Sequence, residues 1–186
     1  MQTVLDTLFG DAEGVICGSV RSPEDLREVV PSRGQTAVVT TDAAMSAWHW
    51  LPVLCDPTLG HGHCRRAVIT TYNLSQEAVG GLESLLRGHA IELADVVLSD
   101  AMSRVGDGGE VYGHLEAVGR AYPGRFRWAA QKIHAKTIGL HMASGLTYTV
   151  VGSGNMAYNT HHEAYVLLTD EAAFLHLATW VGGMFH

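Results

Sequence analysis

The sequence is poor in cysteine and has no long apolar run, and each shortage excludes a class of protein. Only three of its 186 residues are cysteine, an odd number without regular spacing, which indicates reduced thiols rather than a disulfide-stapled secreted domain. No apolar run approaches the roughly 20 residues that a membrane-spanning helix needs. The amino-terminal segment lacks the basic start and apolar stretch of a secretion signal. We therefore expect a cytoplasmic protein that does not span a membrane.

Charged residues are scarce as well, at 17% of the chain, whereas apolar residues reach 47%. This balance permits a large buried core and excludes a disordered chain. The net charge of −7 argues against a domain that coats nucleic acid by bulk electrostatics. Residues 123–163 nevertheless contain both lysines of the chain, Lys132 and Lys136, together with Arg125 and Arg127, against a single acid. We therefore expect one local anion-binding site on an otherwise acidic surface.

Short β-rich runs alternate with helix-like stretches, and no linker or internal repeat interrupts them. The predicted strands are Val15–Val20, Thr36–Thr41, Arg66–Thr71, Ile91–Leu98, 125–130, 134–142, 146–152 and 163–169. Helices are predicted over 75–88 and 111–121, and a last one begins at Asp170. The sequence therefore predicts a single α/β domain over residues 1–186, with a mixed β-sheet flanked by helices on both faces.

A histidine and a lysine stand two residues apart at the start of the run 134–142. Strand alternation predicts that His134 and Lys136 share one face of a buried strand, roughly 7 Å apart. Burying an unpaired cation is costly, so we expect a negative group to bind between them. A lone histidine on an apolar strand is more often an ordinary core residue.

The run 146–152 ends in the sequence Gly152-Ser153-Gly154-Asn155. Its two glycines let backbone N–H groups approach an oxyanion, and the serine and asparagine add side-chain donors. Taken alone, these four residues also suit a turn that closes a sheet. Glu163 follows, and its carboxylate is suited to accept the Nδ1–H of a histidine, which leaves Nε2 of that histidine free to attack. Taken alone, this residue is more simply interpreted as a surface glutamate.

Taken together, these residues resemble the half-site motif of the phospholipase D superfamily. The matching positions are His134-x-Lys136, then Gly152-Ser153-x-Asn155, then Asn159 and Glu163. The resemblance extends more weakly over most of residues 66–183. It implies a phospholipase D-like half-domain that cleaves phosphodiesters through a phosphohistidine and needs no metal or other cofactor.

The resemblance also implies roles for individual residues. His134 attacks phosphorus, Lys136, Ser153 and Asn155 neutralise charge on the phosphate oxygens, and Glu163 completes the catalytic set. One position departs from the family pattern, because His141 stands where the family has Asp. Strand alternation places residue 141 on the face opposite His134 and Lys136, so we expect the family Asp to support the structure more than the chemistry.

The chain contains one copy of this motif, and the resemblance implies that a second histidine must come from elsewhere. A two-fold homodimer with both His134 side chains facing across the axis is the simplest source, and an unidentified hetero-partner is another. A second motif within the chain is not found, since His161-His162 and His61-Gly-His63 lack the following lysine.

The expected substrate is DNA or RNA, because short single-motif members resemble the compact endonucleases of the superfamily. Arg125, Arg127, Lys132 and Asn159, with the backbone of Gly152 and Gly154, are the predicted substrate-binding residues. A phospholipid substrate is an alternative, and so is a non-catalytic nucleic-acid-binding or assembly protein with a degenerate site. A separate possibility is a zinc ion held by Cys55, His61, His63 and Cys64, although the spacing of these residues is not that of a common zinc motif.

Overall fold

The computed structural model describes residues 14–42, 45–104, 108–157 and 161–185, and the statements below refer to these ranges. Within them, eight strands form a single sheet. The strands are β1 Val15–Val20, β2 Thr36–Thr41, β3 Cys64–Thr71, β4 Ile91–Ser99, β5 Phe126–Gln131, β6 Thr137–Met142, β7 Thr147–Gly152 and β8 Ala164–Leu168. The helices are α1 Trp50–Leu54, α2 Gln76–Arg87, α3 Gly108–Ala121 and α4 Glu171–Gly182. None of the described helices is long and apolar enough to cross a membrane.

The strands lie across the sheet in the order β1-β2-β8-β7-β6-β3-β4-β5. Strands β3, β4 and β5 are parallel to one another, whereas β6 is antiparallel to β3, and β7 and β8 continue the antiparallel pattern. The ends of β3, β4, β5 and β7 and the starts of β6 and β8 therefore lie along one edge of the sheet, which we call the site edge. The prediction of a mixed sheet in an α/β domain is confirmed.

The two faces of the sheet bury different sets of side chains because residues alternate along each strand. On one face, α4 packs Phe174 and Leu177 against Val68 of β3 and Val97 of β4. The other face carries the larger core, in which α2 and α3 pack on the sheet. Helices on both faces are thus confirmed.

The connection from β5 to β6 explains why the predicted strand over 134–142 begins only at Thr137. Strand β5 lies at the outer border of the sheet and β6 lies beyond β3, so the chain must cross the ends of β4 and β3. Three strand spacings amount to about 14 Å, which the irregular segment 132–136 spans when extended. The crossing segment, residues 132–136, therefore carries His134 over the site edge instead of along a strand.

Candidate active site

The crossing segment holds its histidine and lysine in direct contact with each other and with Tyr72. His134 is exposed, and its ring centroid lies 4.7 Å from that of Tyr72, the residue that follows β3. The Lys136 ammonium lies 3.4 Å from Nδ1 of His134, donates to the His134 carbonyl at 3.1 Å and sits 5.9 Å from the Tyr72 ring centroid. The expectation of a buried strand with the two side chains about 7 Å apart is wrong, because the pair precedes β6 on an open segment.

The position of the ammonium favours one tautomer of the His134 ring. An ammonium group only donates, so its contact with Nδ1 of His134 favours the neutral ring that carries its proton on Nε2. Attack by Nε2 uses the opposite tautomer. A ligand that draws Lys136 away from the ring therefore favours attack through Nε2.

The Gly-Ser-Gly-Asn loop lies beside the crossing segment and is tied to it through the backbone. The N–H of Gly152 donates to the Lys136 carbonyl at 3.3 Å, and the N–H of Ser153 donates to the Ala164 carbonyl at 3.1 Å. These two backbone donors are therefore engaged within the protein. The expectation that Gly152 offers its N–H to an oxyanion is not met in this arrangement.

Tyr165 gives a packing reason for both glycines of the loop. A Cβ on Gly152 would lie 2.3 Å from the Tyr165 ring, and a Cβ on Gly154 would lie 2.1 Å from its hydroxyl oxygen. The Tyr165 side chain is fully buried, and burial together with the nearby charge of Glu163 raises its pKa. Its hydroxyl has no hydrogen-bond partner in the described part of the chain. Nothing in the sequence identified Tyr165 as part of the site, apart from its position two residues after Glu163.

Ser153 and Glu163 form a second contact at the site edge. The Ser153 hydroxyl donates a short hydrogen bond to the Glu163 carboxylate and accepts one from the Ala164 N–H at 3.1 Å. Glu163 is buried, and its own N–H donates to the Thr41 hydroxyl at 2.9 Å. The carboxylate is thus fixed in place, and its role as an acceptor for an attacking histidine stays a prediction.

Most of the predicted motif residues meet at the site edge. Lys136, Gly152 and Gly154 line one small cavity together with Tyr165. Asn155 is anchored through its backbone carbonyl, which accepts from the Ala47 N–H at 2.9 Å, and its buried Oδ1 has no partner among the described residues. Asn159, the remaining residue of the predicted motif, lies outside the described residues.

The predicted substrate-binding arginines lie at the other edge of the sheet. Arg125 precedes β5 and donates to the carbonyls of Leu86, Ile91 and Glu92, so its guanidinium closes the adjoining turn. Arg127 is the second residue of β5. Because β5 runs from this edge to the site edge, at about 3.3 Å per residue, Arg125 and Arg127 lie about 23 and about 16 Å from Lys132 along the chain. The structure therefore brings only Lys132 of these three to the crossing segment.

Arg127 takes part in a charged cluster with Asp95 and Arg66 on the α4 face. Its Nε donates to Asp95 at 2.8 Å, and Nη2 of Arg66 donates to the other carboxylate oxygen at 2.7 Å. Burial raises the pKa of the Asp95 carboxyl, but the two arginine hydrogen bonds outweigh it and hold that pKa below its usual value. Arg66 and Arg127 are therefore structural partners of Asp95.

His141 lies on the face of the sheet that alternation predicts. Its ring packs 5.6 Å from the Phe174 ring of α4, whereas Lys136 lines the cavity with Tyr165, whose side chain belongs to the opposite face. The residue at the family's Asp position is therefore a packing neighbour of α4.

The four residues of the zinc alternative do not converge on one point, and only the two cysteines are in contact. His63 pairs with Glu92 through Nε2 at 2.6 Å, and the His61 ring packs 5.8 Å from that of Tyr148. Cys55 and Cys64 are buried, and the hydrogen bond of the Cys55 thiol to Cys64, together with burial, raises its pKa and keeps it protonated. Within the ranges described, no group of three or more His, Cys, Asp or Glu side chains is placed to hold a metal ion.

The comparisons with known proteins give structural matches only. No protein-family model and no curated protein matches the sequence. The solved structure of polyphosphate kinase from Porphyromonas gingivalis matches with a TM-score of 0.55 at 10% identity, over 82% of this chain and 26% of the kinase. Phosphatidylserine synthase from Haemophilus influenzae Rd KW20 matches with a TM-score of 0.51 at 13% identity, over 83% of this chain and 39% of the synthase.

The matched region is less than half of either solved protein, so the chain spans about a quarter of the kinase and two fifths of the synthase. Both proteins are members of the phospholipase D superfamily. At these identities the likeness concerns the fold, and it agrees with the motif and with the mixed sheet described above. The chain therefore has the phospholipase D-like fold.

Proposed function

We propose that this protein is a metal-independent phosphodiesterase that cleaves DNA or RNA through a phosphohistidine on His134. The observation that carries the proposal is the contact of His134 with Lys136 on an exposed segment, beside the Gly152–Asn155 loop. The two solved structures with this fold are named as a polyphosphate kinase and a phosphatidylserine synthase, names that refer to a phosphate polymer and a phospholipid. These names support the general part of the proposal, which is chemistry at a phosphate group. The choice of a nucleic acid as the substrate is the more specific part, and it rests on the resemblance to the compact endonucleases.

In the proposed reaction, Nε2 of His134 attacks phosphorus and the bond to the leaving oxygen breaks. A bound phosphate favours the tautomer that this attack needs, because its oxygens attract the Lys136 ammonium away from Nδ1. A second imidazole donates a proton to the leaving oxygen, and water then displaces the phosphate from His134 with the proton transfers reversed. Two imidazoles suit this exchange because each ring can accept and donate a proton.

The charge that develops on the phosphate oxygens needs donors that the protein does not already use. Lys136 supplies a cation, and the backbone N–H groups of Gly154 and Asn155 have no acceptor among the described residues. The Ser153 hydroxyl already donates to Glu163, so its proposed role is to hold the loop against that carboxylate. Donors fixed in place before the reaction stabilise developing charge without reorganising.

The second imidazole is proposed to come from a second copy of the chain. A two-fold axis near the site edge would bring two His134 rings to opposite sides of one phosphate. The exposure of His134 on the crossing segment leaves it accessible to such a partner.

A chelator-treated cleavage assay tests the reaction. We expect the protein to cleave plasmid DNA, single-stranded DNA or RNA in excess EDTA. His134→Ala should lower the cleavage rate at least 1000-fold, as the loss of a covalent nucleophile does. His176→Ala is the matched control, since this exposed histidine of α4 is outside the motif and its loss leaves cleavage unchanged. Loss of cleavage with EDTA, or cleavage by His134→Ala, contradicts the mechanism. Hydrolysis of phospholipid vesicles without cleavage of nucleic acid would keep the chemistry and overturn the substrate.

Mixed oligomers test the second copy. Light scattering should give twice the chain mass of 20.0 kDa. After co-refolding of equal amounts of wild type and His134→Ala, a site built from two copies retains about one quarter of the activity of the same total amount of wild type. Retention of one half would instead mean that each chain supplies both histidines.

A further inference from the structure

A cleft opens beside His134 on the side away from the Gly152–Asn155 loop. It has a volume of about 510 Å³ and lies where β3 and β4 end, under the crossing segment. Its lining includes Tyr72, Asp100 and Lys132 but no residue of the loop. A volume of this size is in the range of ligand sites, and His134 stands between the cleft and the proposed phosphate position.

The chemistry of the lining excludes two kinds of occupant. Among the described lining residues, Asp100 carries one negative charge and Lys132 one positive charge, so these two charges sum to zero and do not favour a second phosphate. A lipid acyl chain is equally unsuitable, because it would remove charged groups from water without offering them a hydrogen bond. The mixed lining suits an uncharged group that has a flat apolar face and N–H donors at its edge.

A nucleobase has those properties. The half-buried ring of Tyr72 provides a surface for stacking, Ile133 adds an apolar wall, and Asp100 provides a hydrogen-bond acceptor. Stacking on an aromatic side chain is a common way to hold an unpaired base. Among the described lining residues, Tyr72 is the one aromatic ring besides the proposed nucleophile His134, so the cleft suits one base that has been separated from its neighbours.

From these observations we infer that the cleft binds the nucleobase next to the scissile phosphate, with Tyr72 stacking on the base and Asp100 accepting from its edge. The inference rests on the proposed function and narrows its substrate to a nucleotide presented in an unstacked, single-stranded form. Single-stranded DNA is then cleaved faster than the same sequence in a duplex, because a paired base must first leave the helix.

Two chromogenic esters with the same leaving group separate base binding from chemistry. Methyl p-nitrophenyl phosphate has no base, whereas the p-nitrophenyl ester of deoxyguanosine 5′-phosphate has one, and both release p-nitrophenolate. We expect kcat/KM of the wild type to be at least 10-fold higher for the nucleotide ester. Tyr72→Leu and Asp100→Asn should each reduce this advantage to below about 3-fold, through KM of the nucleotide ester. The advantage is a ratio of the two esters for the same variant, so an effect of Tyr72→Leu on His134, which it contacts, alters both esters alike and cancels.

Tyr72→Phe is the conservative control, since it keeps the stacking face and should keep most of the advantage. If Tyr72 only positions His134, Tyr72→Leu lowers kcat for both esters equally and Asp100→Asn changes nothing, which overturns the inference. Equal kcat/KM for the two esters in the wild type also overturns it while leaving the proposed function intact. Hydrolysis of neither ester, with His134→Ala indistinguishable from wild type, rejects the proposed function and the inference with it.

Discussion

Replacement of Gly154 by alanine should destabilise the protein through a single contact. Neither Gly154 nor Gly152 has a positive φ, so only space limits a side chain there. A Cβ at Gly154 would lie 2.1 Å from the Tyr165 hydroxyl oxygen, whereas ordinary contact begins at 3.4 Å, so one group must move by more than 1 Å. Such overpacking costs about 2 kcal/mol, which lowers the Tm of a chain of this length by about 6 °C.

Tyr165→Phe should rescue this variant because it removes the atom that collides. The next atoms from the Gly154 Cβ are Cζ of Tyr165 at 3.0 Å and Cδ of Glu163 at 3.4 Å, which small shifts can accommodate. By itself, Tyr165→Phe removes a buried hydroxyl with no described hydrogen-bond partner, so we expect it to raise the free energy of unfolding by up to about 1 kcal/mol. Urea unfolding of both single variants and of the double variant measures the coupling.

Gly152→Ala is the matched control. Its Cβ would meet ring carbons of Tyr165 at 2.3 and 2.8 Å and the backbone oxygen of Ala164 at 2.8 Å, none of which Tyr165→Phe removes. We therefore expect rescue at Gly154 and none at Gly152. Equal rescue at both positions, or at neither, would refute the argument that the hydroxyl is the atom that collides.

Three further changes test other parts of the structure. Asp95→Asn should lower the free energy of unfolding by about 2 kcal/mol at pH 7. Because the folded-state pKa of Asp95 is depressed, this difference begins to shrink below the ordinary aspartate value of about 3.9 and is lost as the pH falls through the folded-state pKa. Gly81→Ala should destabilise the protein, as measured by Tm, because its Cβ would lie 2.0 Å from the Trp48 ring, whereas Gly80→Ala, with its nearest neighbour at 3.9 Å, should not. Lys132→Ala should raise KM for nucleic acid, because it removes the positive charge that balances Asp100 in the cleft beside the substrate, and an unchanged KM would place Lys132 outside the substrate path.

The order of strands and helices was readable from the sequence because it depends on local periodicity. The run that became β3 is uniformly apolar or β-branched near its end, and the segment that became α2 has apolar residues at helical spacing after the capping residue Ser75. These signals involve neighbours within a few residues of each other. The same is true of the spacing between His134 and Lys136, which carried the resemblance to the phospholipase D superfamily.

The placement of the site depended on contacts between distant parts of the chain. The crossing segment left the strand conformation because β5 and β6 are separated by two other strands, an order that no local pattern encodes. For the same reason Arg125 and Lys132, seven positions apart in sequence, lie at opposite edges of the sheet.

The sequence alone thus determined the fold class, most strand positions and the polar groups available for chemistry, because side-chain periodicity and residue type are local properties. Only the tertiary structure decided that Tyr72 contacts His134, that Tyr165 fills the space beneath the two glycines, and that Asp100 lines the adjoining cleft. Those contacts join residues up to 62 positions apart, and they arise from strand order, which is set by the packing of the whole sheet.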